Sequence, residues 1–127
     1  HDVSSLVRVN AIISTIKKFS GATAKETKTG FTLNLAISGS RCINEINIKL
    51  LDKKPSTVSK FAEKPVDNDK YYFSLKSFSE GSGGTEYDLK IWKPIKSGGI
   101  LLEHYVQQNT KPDFEKTWTL ISTLRID

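Results

Sequence analysis

The most regular hydrophobic pattern in this chain lies between Gly30 and Asp52, where two runs alternate apolar and polar residues. The apolar positions are Phe31, Leu33, Leu35 and Ile37 in the first run, and Ile46, Ile48 and Leu50 in the second. A period of two is typical of half-buried strands and does not fit a helix. Ser38–Arg41 between the runs consists of turn residues. The stretch therefore predicts an antiparallel hairpin with one face buried and the other presenting amides, hydroxyls and a lysine.

The segment before this hairpin is ambiguous between strand and helix. Residues 5–19 alternate at first, and the apolar pattern then shifts by one position. A bulged, strongly curved first strand would explain the shift. A helix from Val9 to Phe19 also fits, because Ile12, Ile13 and Ile16 are spaced i, i+1, i+4. The density of β-branched residues favours the strand. Residues 20–30 are polar, with a glycine at Gly21 and at Gly30, and predict a mobile loop.

Further along, the pattern predicts a short helix and more strands. Residues 56–64 predict a helix capped by Ser56 or Thr57, with Val58, Phe61 and Ala62 facing inward and Pro65 ending it. Residues 70–78 and 85–92 alternate again, residues 100–106 form an apolar segment, and residues 114–127 favour a strand.

The order strand, strand, strand, short helix, strand, strand predicts an all-β fold, an OB-fold five-stranded barrel. On this interpretation the 127 residues form a single domain, in which residues 5–92 are the barrel and residues 93–127 are a β-rich C-terminal extension. A β-sandwich is the alternative, since it needs no helix at 56–64 and tolerates extra strands.

Charge and composition narrow the classes of partner. The net charge is +5, and residues 1–66 hold eleven Lys and Arg against five acids. Such a basic half is typical of proteins that bind polyanions, although lysines also keep a β-rich domain soluble. No apolar run is long enough to predict a membrane span. One cysteine and two histidines provide no set of metal ligands at usable spacing, and we expect no cofactor. The single cysteine suggests a reducing compartment, and the absence of methionine suggests a processed product or an excised domain.

From Leu6 to Trp92 the chain resembles the OB-folds of the replication protein A large subunit and of telomere-end-binding proteins. The matching residues are Thr29–Leu35, Glu45–Lys49 and, above all, Asn68–Ser74. The resemblance implies a nuclear protein that binds single-stranded DNA, or RNA, in DNA replication, repair or telomere maintenance. Residues 93–127 depart from that family. Three alternatives are open for them: an extra hairpin, a capping extension, or a docking surface for other subunits of a nucleoprotein complex.

Single-strand binding needs cations for phosphates and flat rings for bases. The nucleic-acid-binding residues expected on this interpretation are Phe19, Lys25, Lys28, Asn34, Asn47, Lys49, Tyr72, Lys76, Phe78, Lys90 and Trp92. Each has a structural alternative: Tyr72, Phe78 and Trp92 could pack in a core, Phe19 could anchor a loop, and the loop lysines could be solvated charge.

Catalysis finds little support, because no nucleophile–base arrangement, metal cluster or phosphate-binding glycine loop is present. His104 is expected to be structural. Two other functions stay open, namely a protein–protein interaction module in a multi-subunit assembly and a secreted or viral β-sandwich with a recognition role.

Overall fold

Seven strands run antiparallel in a single open sheet of order β1-β2-β3-β7-β6-β5-β4. The structure is a computed structural model that describes residues 3–19, 21–36, 42–79 and 84–125. The strands are β1 (Thr23–Glu26), β2 (Gly30–Asn34), β3 (Asn44–Leu51), β4 (Ala62–Val66), β5 (Asp69–Ser79), β6 (Thr85–Pro94) and β7 (Gly99–Gln108). The helices are α1 (Val3–Lys18), α2 (Glu115–Thr123) and a 3₁₀ helix (Ser56–Lys60).

The main core lies between one face of the sheet and the two α-helices. Ile46, Ile48 and Leu102 on the central strands pack in one cluster with Ala11 of α1 and Leu120 of α2. Because strand side chains alternate, the residues between them point to the opposite face. We call the sheet face under α1 and α2 the helix-covered face, and the opposite one the helix-free face.

The mostly β prediction is confirmed, but the closed barrel is not found. β1 and β4 stand at the two ends of the sheet order and do not pair with each other. The alternative sandwich does not describe the fold either, because helices and not a second sheet cover the core. Residues 93–127 supply β7, which pairs with β3 and β6 in the middle of the sheet.

The strand prediction for residues 5–19 is wrong, since this segment is α1. Its buried positions are Val7, Ala11, Ser14 and Thr15, a helical spacing of i, i+4, i+7, i+8. Val9 and Ile13 are 56% and 47% exposed. The helix has apolar residues on its exposed side and polar residues on its buried side. The pattern of hydrophobic residues in the sequence therefore did not show which side is buried.

The prediction of a mobile loop at residues 20–30 is also wrong in part. Thr23–Glu26 forms the edge strand β1, paired with β2. The turn between them is held by hydrogen bonds from Thr27 N to Gly30 O (2.9 Å) and from Gly30 N to Thr27 Oγ1 (3.1 Å). A strand without buried side chains carries no apolar alternation, so its formation depends on pairing alone.

The hairpin of residues 30–52 is confirmed in its pairing and in its faces. Phe31 lies opposite Ile48, and Leu33 lies opposite Ile46, with all four side chains buried. The predicted turn at Ser38–Arg41 lies outside the described residues.

The short helix of residues 56–64 is shorter than predicted. It is a 3₁₀ helix of Ser56–Lys60, preceded by Pro55 and without a side-chain cap. Val58 is buried as predicted, whereas Ala62 is exposed and begins β4. Pro65 does not end a helix; it sits in an edge strand, where its missing N–H costs no sheet hydrogen bond.

The later strands at 70–78 and 85–92 are confirmed within β5 and β6. Residues 100–106, described from the sequence only as an apolar segment, lie in β7. The C-terminal strand prediction is wrong, because Glu115–Thr123 is α2. Its buried residues Thr117, Leu120 and Ile121, followed by Leu124, have helical spacing. The alternation that suggested a strand counted Thr117 as outward, but this polar residue faces the core.

No helix among the described residues has the length and apolarity to cross a membrane.

Candidate functional site: the helix-free face of the sheet

The helix-free face is a broad polar surface made by alternate residues of the strands. Cross-strand pairing places Asn47 opposite Glu103, and Lys90 opposite both Glu103 and Ser74. The residues that define its central part are Asn47 and Lys49 on β3, Leu101 and Glu103 on β7, Asp88, Lys90 and Trp92 on β6, and Tyr72, Ser74, Lys76 and Phe78 on β5.

Four charges form a chain across the middle of this face. Lys49 Nζ lies 2.9 Å from Glu103 Oε1, and Lys90 Nζ lies 3.8 Å from both Glu103 Oε2 and Asp88 Oδ2. Two lysines and two carboxylates balance each other. The centre of the face is therefore close to neutral, and its charged groups already have partners.

Two apolar side chains are buried outside the main core, Val58 of the 3₁₀ helix and Trp92 of β6. Trp92 lies over β7, where a Cβ on Gly99 would come within 2.4 Å of the indole ring. The absence of a side chain at Gly99 thus lets the indole lie flat on the sheet.

A groove of about 510 Å³ runs between the 3₁₀ helix and strands β5 and β6. We call it the lysine groove and define it by Lys60, Phe61, Lys76, Phe78, Asp88 and Lys90. Phe78, the last residue but one of β5, is paired with Glu86 of β6 and is 52% exposed. Lys60 and Lys76 form no ion pair with any described residue.

The helix-covered side has a cleft of its own, of about 400 Å³, between β5 and the start of α2. Lys64 Nζ lies 4.7 Å from the centroid of the Trp118 ring in this cleft, and Trp118 packs edge-on against Phe73. Its cation and its rings are thus already engaged with one another, unlike those of the lysine groove.

His104 lies on the helix-covered face and is buried, as predicted for a structural histidine. Its Nδ1 is 2.8 Å from Thr117 Oγ1 and its Nε2 is 2.7 Å from Asn44 Oδ1. Burial lowers the pKa of His104 to about 4, so the ring is neutral at physiological pH. In the neutral ring Nε2–H donates to the Asn44 oxygen and Nδ1 accepts from Thr117. Both ring nitrogens are therefore occupied in holding α2 and β3 to β7.

The structure places most of the sequence-predicted site residues on one face, although far apart on it. Those on the helix-free face are Lys25, Asn34, Asn47, Lys49, Tyr72, Lys76, Phe78, Lys90 and Trp92. Lys76, Phe78 and Lys90 meet in the lysine groove. Lys25 lies on the edge strand β1, and Asn34 accepts a hydrogen bond from the Ala36 amide.

Three of these residues do not sit as the sequence interpretation required. Phe19 packs against the main core on the helix-covered side, as its structural alternative proposed. Lys28 lies in the β1–β2 turn and not on a strand of the sheet. Trp92 is buried and cannot stack on a ligand.

Sequence reasoning missed Lys60, Phe61, Asp88 and Glu103. The alternation of the two strands indicated that both acids point away from the core. Asp88 occupies an outward position on β6, and Glu103 occupies one on β7. Nothing in the sequence indicates which face the 3₁₀ helix covers, so Lys60 and Phe61 could not be placed beside β5. No cluster of three or more potential metal ligands occurs among the described residues.

Residues 16–125 match the family model of the type six secretion immunity 3 domain, Tsi3. This match covers most of the chain. The chain belongs to the Tsi3 family. Among curated proteins, none matches it in sequence.

Membership in the Tsi3 family corrects several expectations. The resemblance to replication protein A and telomere-end-binding OB-folds is wrong, and with it the prediction of single-stranded DNA or RNA and nucleoprotein subunits as partners. Type VI secretion is a bacterial system, so roles in telomere maintenance, replication or repair in a nucleus are wrong as well. The resemblance rested on strand patterns such as Asn68–Ser74, and strand patterns are shared by many β-rich folds. The described basic residues among residues 1–66 are spread over α1, β1, β3, the 3₁₀ helix, β4 and the turns between them.

Proposed function

We propose that this Tsi3-family chain is an immunity protein that neutralises a type VI secretion effector by binding to it, without catalysing a reaction. The observation that carries the proposal is the family match over residues 16–125. An inhibitor of this kind needs a stable scaffold and an accessible surface of defined shape and charge. The helix-free face offers such a surface on rigid, paired strands.

Both ring nitrogens of the buried His104 are engaged in hydrogen bonds, which also supports a binding role over a catalytic one. A general base must reach the proton that it abstracts, and His104 already bonds Thr117 and Asn44. The charged groups at the centre of the helix-free face are partly exposed and already paired with one another.

Protection of cells tests the proposal most directly. Each type VI effector of the source bacterium is produced in a susceptible host with and without this chain. We expect one effector to arrest growth alone and to be tolerated when the chain is present, and we call that effector the cognate effector. An unrelated toxin provides the control. Growth arrest by every effector despite the chain would contradict the proposal.

A titration separates a stoichiometric inhibitor from an enzyme. The purified cognate effector is assayed with rising amounts of the chain, and complex formation is followed by calorimetry. Inhibition should be complete at a fixed molar ratio that equals the stoichiometry of the complex. Inactivation of the effector by a small fraction of an equivalent of the chain would indicate catalysis and would contradict the non-enzymatic part of the proposal.

A further inference from the structure

The lysine groove holds two lysines in addition to those in the balanced charge chain of the helix-free face. Lys49, Glu103, Lys90 and Asp88 neutralise one another in a chain of ion pairs. Lys60 and Lys76 are both exposed and have no such partner among the described residues. The positive charge of the groove therefore comes from these two side chains, on opposite walls.

Among the described residues, the nearby acids form no ion pair with Lys60 or Lys76. Glu63, in the adjacent edge strand, pairs with Lys70 at 3.4 Å. Glu86 lies opposite Phe78 on β6 and marks the end of the groove, without an ion pair to Lys76. Asp88, opposite Lys76 in register, has Lys90 as its ion-pair partner at 3.8 Å.

The groove also carries exposed apolar surface beside its cations. Phe78 and the half-buried Phe61 contribute rings, and Ser74 on the floor contributes a hydroxyl. Aromatic residues are enriched in protein interfaces, where they serve as anchors inside a polar rim. A single exposed phenylalanine would mean little, but this one adjoins a groove with two uncompensated lysines.

We propose that the lysine groove is the docking site for an acidic segment of the cognate effector, in which Asp or Glu side chains pair with Lys60 and Lys76 while an apolar side chain packs on Phe78. This inference rests on the proposed function and adds the face that is used and the chemistry of the partner segment. Carboxylates suit the groove because Lys60 and Lys76 form no ion pair with any residue that the structure describes.

Charge reversal tests the site. In the double variant K60E/K76E both exposed lysines become acidic, and we expect the dissociation constant for the cognate effector to rise about a hundredfold or more. The control is K111E/K116E, which makes the same change in net charge at two exposed lysines on the helix-covered side of the molecule. The control should bind like the unmodified chain. Circular dichroism and thermal unfolding verify that both variants fold.

A crosslinking measurement tests the chemistry of the occupant without relying on loss of binding. Phe78→p-benzoylphenylalanine places a photoreactive ring in the groove, and mass spectrometry identifies the effector segment to which it attaches. We expect a segment in which Asp and Glu outnumber Lys and Arg. The same residue at Ile13, on the exposed side of α1, should give no such crosslink.

The outcomes separate the two proposals. Tight binding by the unmodified chain together with undiminished binding by K60E/K76E would overturn the lysine groove and leave the immunity function standing. Crosslinking from position 78 to a basic segment would overturn the acidic occupant. Failure of the unmodified chain to bind any effector would overturn the proposed function, and this inference with it.

Discussion

The two faces of the sheet are built from alternate residues of the same strands, yet their physical chemistry is opposite. On β3, Ile46 and Ile48 are fully buried under the helices, whereas Asn47 and Lys49 between them lie on the open face. Apolar burial stabilises the first face by an amount that grows with buried area. The open face contributes paired charges in water, which stabilise little. The difference teaches that folding and recognition are assigned to separate sets of residues in this protein.

The largest expected effect comes from adjacent residues that point to the two faces. Ile48→Ala should lower the free energy of unfolding by about 2–5 kcal/mol, because it removes buried methyl groups and leaves a cavity. Lys49→Ala should cost less than about 1 kcal/mol, because it removes one partly exposed ion pair. Urea unfolding at neutral pH measures both. Equal losses would show that the open face is as important for folding as the covered one.

The second prediction concerns His104, the buried titratable group of the covered face. Its pKa is 6.5 in the unfolded chain and about 4 in the folded one. Between these values the unfolded state binds more protons, so the free energy of unfolding falls as pH falls, by up to about 3 kcal/mol. At neutral pH this loss is absent, because the ring is neutral in both states.

The control is His104→Gln, which removes the titration while offering an amide to Asn44 and Thr117. Urea unfolding of both proteins at several pH values from neutral to about 4 provides the comparison, and subtraction cancels the shared carboxylates. The unmodified chain should lose more stability with acid than the variant. Parallel pH profiles would contradict a neutral, buried His104.

The third prediction compares two lysines on one strand that point to opposite faces. Lys93 Nζ caps the C-terminus of α2, donating to the carbonyl oxygens of Ile121 (3.0 Å) and Leu124. Burial lowers the pKa of Lys93, but a cation at this end of a helix interacts favourably with the unpaired carbonyls. Lys93→Met should cost about 2 kcal/mol. Lys90→Met on the open face should cost less than about 1 kcal/mol. Thermal or urea unfolding of the two variants measures both losses. A larger loss for Lys90→Met than for Lys93→Met would contradict the capping role of Lys93.

The smallest effect is expected within the charge chain itself. A double-mutant cycle with Lys49→Met and Glu103→Gln should give a coupling free energy of no more than about 1 kcal/mol, because both side chains are partly solvated. Urea unfolding of the four proteins measures it, and added salt should reduce it. A coupling above about 2 kcal/mol would mean that the open face is locked for structural reasons.

Much of the sheet could be predicted from the sequence, since the alternation in β2, β3, β5, β6 and β7 records which side chains are buried. The helices could not, because Val9 and Ile13 are apolar on an exposed side and Thr117 is polar on a buried one. The candidate site was predicted in part. The two-residue alternation of the strands correctly placed three of its residues on the helix-free face, namely Lys76, Phe78 and Lys90. It placed Trp92 on the same face, but Trp92 is buried there. Its indole lies against Gly99 of β7, and the alternation of a strand carries no information about what covers a side chain.

Alternation in the sequence by itself determined strands β2, β3, β5 and β6, the pairing of residues 30–52 and the identity of the two faces, because a period of two is a local property of the backbone. The tertiary structure alone decided that the sheet stays open, that β7 enters between β3 and β6, and that helices cover one face. These features depend on contacts between residues far apart in the chain, and no local pattern encodes them. The same contacts bring Lys60 beside Lys76 and so create the lysine groove.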